Sequence, residues 1–98
     1  MPVTINNYKV AISGTPVAGN VRGKIFLRTG NIKRGVARFY RTGVAIPNDQ
    51  VSNNRVYMNL PESVMNSVLS MLQREAPVKL DFHNGRGILF TGTEIVED

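Results

Sequence analysis

Eight cations, Lys9, Arg22, Lys24, Arg28, Lys33, Arg34, Arg38 and Arg41, precede the first acid of this 98-residue chain, Asp49. The rest carries four more cations and all seven acids, so the net charge of +5 hides a strongly positive first half and a weakly negative second. Cations crowded without counter-charge neutralise phosphates, and aromatic rings among them offer flat faces on which bases stack. Phe26 and Tyr40 are interleaved with these cations. The candidate binding residues are therefore Arg22, Lys24, Phe26, Arg28, Arg34, Arg38 and Tyr40, with single-stranded DNA or RNA as the expected partner. In the competing arrangement Asp81 or Glu94 folds back over the cations and both rings belong to the core.

Other chemistries find less in the sequence. There is no Cys, hence no disulfide framework, thiolate nucleophile or thiolate metal site, and His83 is the only histidine. Asp81 and His83, two apart on one expected strand, could act as orienting carboxylate and base, and Ser and Thr nucleophiles are plentiful. Abundance is not geometry, however, and a strand-edge His beside a hairpin reads as an ordinary surface residue. Gly14, Gly19 and Gly23 lack the Lys-Ser or Lys-Thr and helix start of a phosphate-cradling loop, and Gly85-Arg86-Gly87 precedes a strand. No two carboxylates are spaced to share acid and base work. No catalytic residue, metal site or cofactor is expected, and the function expected is non-catalytic binding of an anionic partner.

The elements that must position the cations are organised around Asn59 to Ala76. At about 100° per residue, Leu60, Val64, Met65, Val68, Leu69, Met71, Leu72 and Ala76 fall on one side, which predicts an amphipathic helix. Asn59 and Glu62 have capping-box spacing, Pro61 suits a first turn, and Pro77 stops the helix. Its apolar face, with Met65 and Met71 as core fillers, needs a sheet to cover.

Everything else reads as strand. Val3 to Ser13 alternates, with a phase change at Asn6-Asn7 that predicts a bulge or bend. Val21 to Thr29 and Lys33 to Thr42 form a hairpin. A three-residue loop, Gly30-Asn31-Ile32, gives it an apolar face of Val21, Ile25, Leu27, Ala37 and Phe39; a two-residue loop would set Ile25 and Leu27 beside Arg34 and Arg38. Pro47 to Asn54 reads as the most mobile loop, and Arg55 to Asn59 as a strand feeding the helix. Val78 to His83 forms the last hairpin with Ile88 to Phe90 through a three-residue loop, Asn84-Gly85-Arg86, and residues 94–98 form an acidic tail.

These elements imply one α+β domain over residues 1–98: a curved antiparallel sheet of five or six strands with one helix inserted before the last hairpin. The element order resembles that of OB-like barrels, which bind oligonucleotides on a strand face, although the strand Arg55 to Asn59 is one too many for that pattern. Open strand edges on so small a sheet offer a second role, a self-assembling or protein-binding module that forms a homo-oligomer through those edges. The start lacks the basic segment and apolar run of a signal peptide, and no run reaches membrane-spanning length. A cytoplasmic location with no membrane partner is expected.

Overall fold

The computed structural model describes residues 2–17 and 20–91. Eight strands form: β1 (Val3–Ile5), β2 (Asn7–Val17), β3 (Val21–Thr29), β4 (Ile32–Tyr40), β5 (Gln50–Ser52), β6 (Arg55–Pro61), β7 (Val78–His83) and β8 (Arg86–Thr91). A 3-10 turn, Glu62–Val64, leads into the helix α1 (Met65–Arg74). The described residues are thus mostly β with one α-helix, but their strands divide between two sheets, a five-stranded one in the order β2-β3-β4-β6-β5 and a three-stranded one in the order β1-β7-β8.

One curved antiparallel sheet is therefore replaced by two, for two physical reasons. The phase change at Asn6-Asn7 is a change of sheet: Ile5 pairs with Val78, while Asn7 pairs with Arg28. Asn6 anchors the corner by donating its N–H to Arg28 O at 3.1 Å and accepting the Gly30 N–H on its side-chain oxygen at 2.7 Å. In addition, β4 and β6 pair in parallel, from Gly35 opposite Val56 to Tyr40 opposite Pro61. Both strands that follow the helix join the smaller sheet with β1, so the pairing gives the OB-like comparison no support.

Alternation in β3 buries Val21, Gly23, Ile25 and Leu27 and leaves Arg22, Lys24, Phe26 and Arg28 on the other face. Opposite them, Ile25 meets Ala37 and Leu27 meets Gly35, the register that the apolar pattern requires. The turn is nevertheless the two-residue one, because Thr29 pairs with Ile32. A bulge reconciles the two: Arg28 pairs with Lys33 and Leu27 with Gly35, so Arg34 has no opposite number. Gly30, at φ 57°, takes the first turn position in the left-handed region, which glycine enters without steric cost.

The last hairpin also closes through two residues, Asn84 and Gly85 at φ 52° and 77°, a type I′ turn whose twist matches its strands. Leu80 accordingly pairs with Leu89 and Phe82 with Gly87, one residue away from the three-residue expectation. Likewise the Pro47 to Asn54 stretch is no free loop. It contains β5, turns back through Asn53 and Asn54 at φ 53° and 61°, and pairs Gln50 with Tyr57.

The helix is shorter than its periodicity suggests. Pairing with β4 holds residues 59–61 extended, so tertiary contact overrides the local cap chemistry. Asn59 pairs with Arg38 instead of capping, and the Glu62 carboxylate accepts the Thr42 N–H at 2.7 Å. The apolar side of α1, from Met65 to Leu72, packs half-buried on the core. Gly23 makes room for it, since a Cβ there would stand 2.4 Å from Met65 Cε. The core itself joins Ile25, Leu27 and Phe39 of the larger sheet to Ile5, Val78 and Leu80 of the smaller.

One acid ties the two sheets. Asp49 accepts the Asn59 N–H of β6 on Oδ1 at 2.6 Å and the Gly87 N–H of β8 on Oδ2 at 2.9 Å.

Candidate functional site

The face of the five-stranded sheet opposite the core is a grid whose columns are strands and whose rows are set by register. Its middle row runs Lys9, Phe26, Val36, Tyr57 across β2, β3, β4 and β6. On one side of that row Lys24 pairs with Arg38. On the other, Arg28 pairs with Lys33, and Arg55 lies two residues before Tyr57 on β6. Adjacent strands are about 4.8 Å apart and alternate residues on a strand about 6.7 Å, so six cations surround two aromatic rings that stand about 10 Å apart.

These side chains line a single groove whose lining includes no acid. The Arg38 guanidinium lies 4.8 Å from the centroid of the Tyr57 ring, a cation–π contact. Arg28 is half-buried here, and its Nε is buried without a hydrogen-bond partner. An unpaired guanidinium donor is costly in a folded protein.

Of the residues expected from the sequence, Lys24, Phe26, Arg28 and Arg38 come together in this groove. Arg22, Arg34 and Tyr40 do not line it. Arg22 is the extra residue of a second bulge, between the Val21–Tyr40 and Gly23–Phe39 pairs. Arg34 is displaced by its own bulge. Its Nε donates to Thr29 Oγ1 at 3.0 Å, and the side chain lines a different groove together with Leu80 and Asp81.

Tyr40 is 5% exposed and donates its hydroxyl to Asn59 Oδ1 at 3.1 Å, while the Asn59 amide donates to Asn48 O at 2.8 Å. A ring so enclosed offers no stacking face; the aromatic residue that lines the groove beside Phe26 is Tyr57.

Lys9, Lys33, Arg55 and Tyr57 were not singled out by sequence. The phase of Lys9 against Val10 and of Tyr57 against Met58 was readable, but only the register of β2 on β3 and the parallel β4–β6 contact bring them to this face.

None of the described acids lines this groove, whereas Asp81 shares a different groove with Arg34, one of the expected binding cations. Asp49 and Glu62 hold backbone N–H groups, Asp81 accepts the Phe82 N–H at 2.8 Å on the Arg34 side, and Glu75 lines a groove at the end of α1. Glu94 and the acidic stretch expected at 94–98 lie outside the described residues. His83 pairs with Arg86 beside the turn and is exposed. Among the described residues no three His, Asp or Glu side chains cluster as a metal site requires, and no helix is long and apolar enough to cross a membrane. No protein-family model, curated protein or solved structure matches the chain.

Proposed function

We propose that this chain is a non-catalytic binding module for single-stranded nucleic acid, held on the outer face of its five-stranded sheet. The observation that carries the reading is a grid with no acid among the described residues: Lys9, Lys24, Arg28, Lys33, Arg38 and Arg55 around Phe26 and Tyr57. Cations in such numbers supply the sequence-independent part of binding, the neutralisation of phosphates. Rings at the centre of a sheet face have their flat sides reachable only by bases that are not already paired and stacked in a duplex, which favours a single strand.

Fluorescence anisotropy of labelled thymidine and uridine oligomers, titrated at several salt concentrations, tests this. Each phosphate neutralised on a single strand contributes about −0.7 to the slope of log affinity against log salt, so four to six engaged cations give a slope of about −3 to −4. Affinity that is absent, or indifferent to salt, removes the proposal.

A further inference from the structure

We infer that Arg38 reads the edge of a purine stacked on Phe26 and favours guanine over adenine, an inference that rests on the nucleic-acid reading above. Arg38 does not project freely into solvent. Its guanidinium rests on the Tyr57 ring, 4.8 Å from the centroid. Only β4, the strand that carries Arg38, separates the columns of Phe26 and Tyr57, a span of about 10 Å. A base stacked on Phe26 therefore brings its edge within reach of the guanidinium.

What the edge meets is then a matter of donors and acceptors. Guanidinium is a planar fork of donors with no acceptor, and guanine presents O6 and N7 side by side to receive two of them. Adenine presents N7 beside the N6 amine, so one prong of the fork meets another donor. Lys24, the cross-strand partner of Arg38, is also a donor only, as is Arg28 on the far side of the ring. Side-chain acceptors on this face include the Tyr57 hydroxyl and the Asn7 side-chain oxygen opposite Arg28, and Asn7 lies on β2, across β3 from Arg38. At the Arg38 fork itself the adenine amine meets only donors.

The test is a competition between two thymidine hexamers with one central deoxyguanosine or deoxyadenosine, read by anisotropy at fixed salt. A single guanine cannot self-associate through quartets, and a site that recognises rings only by stacking treats the two purines alike. The expected result is an affinity about fivefold or more higher for the guanine hexamer, the worth of one well-formed hydrogen bond. Arg38→Lys keeps the charge and removes the fork. It should bring the two hexamers to within about twofold of each other while leaving the salt slope near that of the parent. Equal affinities in the parent protein, or a guanine preference that survives Arg38→Lys, overturn the assignment and leave the binding proposal standing. No binding of any oligonucleotide overturns both.

Discussion

Removing the Asp49 carboxylate should loosen the join between the two sheets. Its oxygens accept the Asn59 N–H of β6 at 2.6 Å and the Gly87 N–H of β8 at 2.9 Å, the only hydrogen bonds described from this side chain. In Asp49→Ala both donors lose a charged acceptor. Each such loss costs about 1–3 kcal/mol, and the half-buried position of Asp49 lets water recover part of it, which places the sum at about 2–3 kcal/mol. Against a total stability of about 5–15 kcal/mol for a domain of this kind, the loss is readily measured. Asp49→Asn separates the two bonds. Its one carbonyl oxygen serves Asn59 or Gly87, and its amide faces the other N–H as donor against donor, so a loss of about 1–2 kcal/mol is expected. Urea unfolding supplies the numbers, with an unchanged slope showing that the folded and unfolded states expose the same surface. Asp49→Ala within about 0.5 kcal/mol of the parent, the range of an ordinary surface change, refutes the idea that this carboxylate joins the sheets.

Gly35→Ala should destabilise by about 2 kcal/mol or more, because a Cβ there stands 2.3 Å from the Val56 carbonyl oxygen and the β4–β6 backbones must part. A melting temperature equal to that of the parent contradicts the close approach. Tyr40→Phe leaves Asn59 Oδ1 without its buried donor and should cost about 1–2 kcal/mol in urea unfolding, while oligonucleotide affinity stays within about twofold. A loss of affinity without a loss of stability would return Tyr40 to the binding face.

Patterns that depend on neighbours in sequence were legible, and those that depend on a distant strand were not. The alternation of Val21, Gly23, Ile25 and Leu27 identified the core side of β3, and with it Lys24, Phe26 and Arg28 on the other side. The phase break at Asn6-Asn7 marked the corner, although not that the chain changes sheets there. Asn59 to Glu62 carried local cap chemistry, yet the segment through Pro61 lies along β4 in a parallel register, an arrangement without a local signature. Tyr57 escaped notice for the same reason. It enters the site only because β6 lies beside β4, where Val36 is its partner.

The hairpin between β3 and β4 shows why turn and register could not be weighed as rivals. A two-residue turn without a bulge would place Ile25 and Leu27 on the same side as Arg34 and Arg38 and expose the core. A three-residue turn corrects that at the loss of the favoured glycine turn. The bulge at Arg34 keeps both, and its consequence is a sorting of charge. Lys33 takes the place on the outer face that Arg34 would have held, opposite Arg28, while Arg34 turns to Thr29 and the groove of Asp81. The exchange leaves the number of cations on the face unchanged but moves the half-buried guanidinium away from Arg28 and brings an exposed ammonium beside it. A flexible ammonium can withdraw into water when the groove is empty, which eases the repulsion between neighbouring cations. The described acids serve elsewhere: Asp49 and Glu62 receive backbone donors that would otherwise go unpaired, and no described acid lines the groove.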